Sequence, residues 1–325
     1  MILLTGATGF LGFRLLNRLL EWQGQVRVIV RDAKKLQAML PDRFRARGVV
    51  DFVEGDLTKP HINFDPIFQG IDAVIHNAAM VHVGSERFAP MNQINVLATK
   101  RLLDATPRSC YFLQIGSVIA YGPTGIDPVD ERTPFPATAI SPYEATKRAA
   151  VILARERMNE SFPVGILNPG IIYGPGAHGA LTRFAHLVAQ RKLPVFSGSQ
   201  SLGSFVHVDD VVEAAIEMVK RREQDEYIAV GEAMPMIDFL ETLATATGGK
   251  APRWHISPQL LIALTLLPAA IGKLLGSELP ITPTLLRTVS HHWAYSSAKA
   301  ERLLGVHFRD VRTGIVDWVQ TGSIK

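Results

Sequence analysis

Short apolar runs alternate with amphipathic stretches along the first half of the chain. Ile2-Leu3-Leu4 is an apolar run ending at glycines, and from Phe10 to Trp22 the residues Leu11, Leu15, Leu16, Leu19 and Leu20 recur at helical spacing. Gln25–Val30, Val49–Val53, Ala73–Ile75 and Tyr111–Ile115 repeat the strand-like pattern, with helices predicted around Leu36 and over Met91–Asp104. Ser141–Met158 predicts a longer helix, opened by Ser141 at the N-cap and Pro142 at the first helical position. Val164–Leu167 predicts a sixth strand, Asp209–Arg222 an amphipathic helix and Tyr227–Val230 a seventh strand. Strands separated by helices imply parallel pairing, because parallel neighbours need crossover connections. The expected fold is α/β, a doubly wound parallel sheet with a smaller, mainly C-terminal lobe. Residues 1–170 would form the sheet unit, with 204–231 returning to it. Residues 171–203 and 232–325, richer in Pro, Gly and Ser, would build most of the lobe over the carboxyl edge of the sheet, where ligands of such folds sit.

Composition narrows the classes. Hydrophobic residues make up 47% of the 325 and charged residues 20%, enough for a sizeable core and incompatible with a disordered chain. The single cysteine, Cys110, excludes an intrachain disulfide framework. Met1 runs directly into a strand pattern with no charged leader or apolar targeting core, so a cytoplasmic location is expected. The net charge of +4 is dispersed, and the small clusters Arg43/Arg45/Arg47 and Lys220-Arg221-Arg222 read as solvated faces, so no nucleic-acid partner is expected. The stretch 256–275 is almost wholly apolar but is broken by Pro258 and Pro268 and carries Lys273. It is too short to cross roughly 30 Å of hydrocarbon as one straight helix. It reads as helices covering an apolar substrate pocket, with peripheral membrane contact as the other reading. No metal-ligand spacing is present.

Candidate chemistry begins at Thr5-Gly6-Ala7-Thr8-Gly9-Phe10-Leu11-Gly12, between the first strand and the first helix. Gly6, Gly9 and Gly12 allow a tight turn and bring backbone amides towards a pyrophosphate, with Thr8, Phe10 and Leu11 lining the same turn. The strand–turn–helix context is what a dinucleotide fingerprint of the Rossmann type requires. At the end of the second strand an acid would hold a ribose 2′-hydroxyl, whereas Arg accommodates a 2′-phosphate. Arg31 stands there, followed by Asp32, Lys34 and Lys35, so NADP(H) is favoured and Asp32 keeps NAD open. Asp56-Leu57 and Asn77-Ala78-Ala79 close the third and fourth strands and would face the adenine and ribose.

Tyr143 and Lys147 are four residues apart, on one face of the long helix. A phenol with an ordinary pKa of roughly 10 is a poor base near neutrality. A neighbouring ammonium and an oxidised nicotinamide would both favour phenolate. Ser117, at the end of the fifth strand, would hold the substrate oxygen while Tyr143 gives or takes the proton.

These residues resemble the extended short-chain dehydrogenase/reductase family nearly end to end. Thr5–Gly12 is similar to its cofactor turn, and Asp56 and Asn77–Ala79 to its adenine and ribose positions. The resemblance implies Ser117, Tyr143 and Lys147 as the catalytic set, with Lys147 also binding nicotinamide-ribose hydroxyls. It further implies Asn95 as a helix residue supporting the site, and Pro169-Gly170-Ile171 as the turn beside the nicotinamide carboxamide. Val30-Arg31-Asp32 looks like dihydroflavonol reductases, and Tyr295–Ala300 with the 256–275 stretch looks like the 3β-hydroxysteroid and sterol dehydrogenase branch. Two departures stand out. Nucleotide-sugar epimerases and dehydratases usually carry an Arg where Ser201–Ser204 stands, and the position usually Arg before Pro169 is Asn168. Without the first Arg a diphosphate loses a charge-assisted anchor. The expectation is therefore hydride transfer between NADP(H) and a secondary alcohol or ketone on a small, largely apolar substrate, by a chain acting alone or as a homodimer. The competing readings are a sugar epimerase or dehydratase and a non-catalytic NADP(H)-binding regulator.

Overall fold

The computed structural model describes residues 1–82, 87–193, 195–197, 200–257 and 288–324. Seven strands form one parallel sheet: β1 (Ile2–Thr5), β2 (Val26–Val30), β3 (Val50–Glu54), β4 (Ala73–His76), β5 (Tyr111–Ile115), β6 (Val164–Pro169) and β10 (Glu226–Ala229). Their order is β10-β6-β5-β4-β1-β2-β3, so the direction of winding reverses between β1 and β4. All seven predicted strands are present. A crevice opens above the carboxyl ends at such a reversal.

The sheet is covered on both faces, which is why its strands read as continuous apolar runs. Ile2 and Leu4 of β1 pack into a core shared with Leu11, Leu15 and Leu19 of the helix Phe10–Gln23 and with Val211, Ala215 and Met218 of the helix Val208–Arg221. Leu3 points the other way, into a core with Leu102 of the helix Ala98–Ala105 and Val151 and Ala154 of the helix Pro142–Asn159. Ser141 caps the latter helix by accepting from the Glu144 amide, 3.1 Å, with Pro142 in the first turn. The helix predicted over Met91–Asp104 is not regular. Phe88–Asn92 leads into a π-type turn over Gln93–Leu97 before Ala98–Ala105 begins. A π turn adds a residue to the ladder, and this one carries Asn95, only 2% exposed.

The smaller lobe is built on β7 (Ile171–Tyr173), β9 (Leu202–His207) and β11 (Ala233–Pro235), with β8 (Val195–Ser197) pairing with β12 (Trp254–Ile256). Residues 204–207, grouped in the sequence with the large sheet, are hydrogen-bonded into this three-stranded one; the return runs through Val208–Arg221 and β10. Phe205 and Phe239 stack at 4.2 Å in the lobe core, beside Tyr173 and Trp318. The helix Ala298–Leu304, from the stretch expected to form lobe, adds Ala300 and Leu304 to the first core of the large sheet. Residues 292–295 tie the halves together: Trp293 bonds Leu202 of β9, and His292 and Ala294 bond Thr124 and Val129 in the loop after β5. Among the described residues no helix is long and apolar enough to cross a membrane. From residue 258 onward the apolar 256–275 run lies outside the described residues.

Candidate active site

The turn after β1 is dictated by close approach. Gly6 adopts φ 71°, and the Gly9 amide donates to the Gly6 carbonyl at 3.0 Å. Gly9 precedes the helix without any side-chain cap, leaving its first amides open to an anion. A Cβ on Gly12 would fall on the Gly6 carbonyl oxygen. Gly12→Ala is therefore expected to destabilise the turn by about 1–3 kcal/mol. Coenzyme binding should weaken by roughly tenfold or more, read by fluorescence titration with reduced nicotinamide coenzyme. Thr8 is exposed and Phe10 half-buried, whereas Leu11 is buried in the core and offers the turn only its backbone.

Thr5 and His76 were not singled out in the sequence, yet they fasten the switch point. The Thr5 hydroxyl accepts from the amides of Asn77 and Ala78 at 3.2 and 3.1 Å. His76, 1% exposed, lies 2.8 Å from Thr5 Oγ1 through Nδ1 and 2.9 Å from Thr99 Oγ1 through Nε2. Thr99 donates its own proton to the Asn95 carbonyl, so Nε2–H must donate to Thr99 and Nδ1 must accept from Thr5. Burial, and then the Lys147 charge, push the imidazole down to about 3, consistent with this neutral tautomer.

At the outer edge, Arg31 is exposed, while Asp32 caps the helix Ala33–Met39 by accepting from the Lys35 amide at 2.9 Å. Glu54 accepts from the Ala33 amide at 3.0 Å. Asp56 Oδ1 takes the Thr58 amide and hydroxyl at 2.9 and 2.7 Å; these bonds, with Arg31 nearby, hold its carboxyl below the usual range. Leu57 is buried, Asn77 and Ala78 are half-buried, and Ala79 is exposed. Pro169 closes β6, the Gly170 amide bonds Ala229 at 3.0 Å, and half-buried Ile171 opens β7.

Ser117, Tyr143 and Lys147 come together where β5 ends. The Ser117 oxygen accepts from the Ile119 amide at 3.4 Å, which leaves its proton for the Tyr143 oxygen or a substrate. Burial pushes the Tyr143 phenol up to about 12, opposed by the hydrogen bond from Ser117. The depression by Lys147 expected from the sequence is not among the causes of the shift; only the Ser117 hydrogen bond opposes burial, and in the protein alone this phenol is an acid that keeps its proton at neutral pH. Lys147 is 4% exposed, donates to the Ile115 carbonyl at 3.0 Å and is brought down to about 8 by burial. An ammonium has three donors, so two remain for a ligand. Asn95 fastens the neighbouring turn: it accepts from the Met80 amide at 2.7 Å and donates to the Met80 carbonyl and to Thr146 Oγ1 at 3.0 and 3.1 Å. It supports the helix that carries Tyr143 and Lys147 from behind.

Together the open helix end, the strand ends and the proton-handling cluster can hold a dinucleotide and protonate an oxygen beside it. Comparisons with known proteins agree. Residues 2–231 match the model of the NAD dependent epimerase/dehydratase family. The chain is 28% identical to short-chain dehydrogenase/reductase family 42E member 1 of Bos taurus, over 92% of this chain and 82% of that one. It is 25% identical to the decarboxylating sterol-4-alpha-carboxylate 3-dehydrogenase of Candida albicans, over 98% and 97%. A solved UDP-glucuronic acid 4-epimerase of Bacillus cereus, in complex with a fluorinated UDP-sugar and NAD, shares the fold with TM-score 0.77 at 21% identity, covering 98% of each chain. This chain belongs to the NAD-dependent epimerase/dehydratase family, the extended short-chain dehydrogenase/reductases, and is an NAD(P)-dependent enzyme acting on hydroxyl or keto groups.

Proposed function

We propose that the protein transfers hydride between NADP(H) and a secondary alcohol or ketone on a largely apolar, sterol- or lipid-like substrate, in the cytoplasm. The observation that carries this is the meeting of the Ser117 hydroxyl, the protonated Tyr143 phenol and the buried Lys147 ammonium. Ser117 holds the carbonyl oxygen, Tyr143 delivers the proton to it, and Lys147 orients the nicotinamide ribose through its two remaining donors. NADP(H) supplies the hydride when bound. The likeness to a sterol dehydrogenase over nearly the whole chain supports an apolar substrate.

The preference for a 2′-phosphate rests on how the acids are used. Asp32 and Glu54 both accept backbone amides at the start of the helix Ala33–Met39, while the Arg31 guanidinium stays exposed. Arg31→Ala is expected to reduce the NADPH-over-NADH ratio of kcat/KM by roughly tenfold or more, the loss of one charge-assisted contact to phosphate. Assaying a panel of hydrophobic ketones and alcohols with each coenzyme tests both halves of the reading. Equal use of NADPH and NADH would remove the Arg31 argument. Turnover of a nucleotide sugar with no change at the reduced-nicotinamide absorbance would replace hydride exchange with epimerase chemistry.

A further inference from the structure

Behind the Ser117 peptide lies a row of buried polar groups that no part of the reaction above uses. Asn168 on β6 is 0% exposed, and its Oδ1 accepts from the Ser117 amide at 3.0 Å. Its Nδ2 donates to Glu226 Oε1 at 2.7 Å. Glu226, on the edge strand β10, is 7% exposed. It also accepts from the Tyr121 hydroxyl and from Arg155 Nε, each at 2.5 Å, and Lys299 Nζ donates to its main-chain carbonyl at 2.9 Å. Space for the first link is made by Gly116, where a Cβ would fall on Asn168 Oδ1.

The polarity of this row leaves no freedom. Ser117 N–H needs an acceptor and Glu226 needs donors, so only a group with both, in this orientation, can stand between them. An amide is such a group. The Arg that the family resemblance leads one to expect at this position is all donor and has nothing to offer the Ser117 amide. The departure at Asn168 is thus matched to its neighbours.

We propose that Asn168 and Glu226 are positioning residues, a hydrogen-bonded arm anchored on Arg155 and Tyr121 that sets the Ser117 peptide and so aims the Ser117 hydroxyl at the substrate oxygen. This rests on the role given to Ser117 above. Asn168 is wholly buried and reaches the site only through the peptide unit that precedes the serine side chain. A serine free to drift by a fraction of an ångström slows the chemical step while coenzyme binding stays intact.

The test uses the full-length protein with NADPH and the best hydrophobic ketone of the panel. Asn168→Leu is expected to lower kcat by about tenfold to a hundredfold, with the NADPH Kd changed by less than roughly twofold. Asn168→Asp gives a signature that mere structural damage does not. Its carboxylate would face Glu226, among Arg155, Tyr121 and Lys299, and the pair would be short of one proton. On acidification a protonated Asp regains both the donor towards Glu226 and the acceptor for Ser117. Its kcat relative to wild type, compared at each pH, should therefore climb by about tenfold between pH 9 and pH 6. A flat ratio overturns the proposal, and this arm decides alone if the Leu variant does not fold. Tyr143→Phe separates the two layers. If it turns over ketone at the wild-type rate, the reading of the whole site falls, and the arm with it. If it is inactive while Asn168→Leu keeps wild-type kcat, only the arm falls.

Discussion

Tyr143→Phe is expected to reduce kcat for ketone reduction by roughly 10²–10⁴-fold, the usual contribution of a positioned general acid. The phenol sits at about 12, so across neutral pH it carries the proton that the nascent alkoxide must receive. Phe keeps the ring packing and removes the hydroxyl, with its proton and its hydrogen bond to Ser117. Ser117 still offers its hydrogen bond, so some activity above background should persist, and NADPH affinity and thermal stability should stay close to wild type. The same raised pKa separates the two directions. Reduction needs the protonated phenol and should be insensitive to pH from about 6 to 9 as far as this group is concerned. Oxidation needs phenolate and should climb with pH over that range, the climb being lost in the Phe variant. Steady-state rates in both directions check this. A Phe variant within a factor of about three of wild type would show that the proton comes from elsewhere.

The parts of this architecture legible in the sequence are those governed by local pattern. All seven strands of the large sheet were readable because each is buried on both faces and so is apolar throughout. The glycine turn was readable because Gly12 touches Gly6 within the same segment. Tyr143 and Lys147 were readable because helical spacing alone brings them to one face. Ser117 is different: its place beside the pair came from the resemblance and from strand-end logic.

What escaped is long-range. Nothing near Glu226 in the chain signals that its carboxylate lies behind a serine 109 positions earlier, because the link passes through Asn168 on the strand between them. Thr5 and His76 look like ordinary strand residues until β1 and β4 are placed side by side, with Thr5 in register with His76. The irregular turn at Asn95 is invisible in an apolar pattern that fits a regular helix; only the buried amide with partners at Met80 and Thr146 explains it. Most instructive is the Tyr–Lys pair. Sequence spacing shows that the two share a face, but the sign of the phenol's shift is set by burial, which the spacing does not reveal and which outweighs the Ser117 hydrogen bond in the folded protein.

Lys147 shows what that burial means for the protein as a whole. Its ammonium is 4% exposed, makes one hydrogen bond, to Ile115, and among the described residues has no carboxylate partner. The folded pKa of about 8 lies below the ordinary 10.5, a difference that corresponds to about 3 kcal/mol of unfavourable burial. Because the folded pKa is the lower one, the folded state binds fewer protons between those two values. Stability should therefore rise with pH from about 8 to 10.5, and the full penalty should be present below 8. Lys147→Met keeps the length of the side chain and removes the charge. The expected result is a coenzyme-free protein whose Tm at pH 7 is higher by ~2–5 °C, whose stability no longer rises above pH 8, and whose kcat/KM falls by roughly 10²-fold or more. Calorimetry at pH 7 and pH 9.5, with kinetics on the same preparations, reads all three. An unchanged Tm with the pH slope intact would mean that this ammonium is solvated in the folded protein. The reason for keeping a buried cation without a counter-ion would then have to be sought outside the ribose it is proposed to hold.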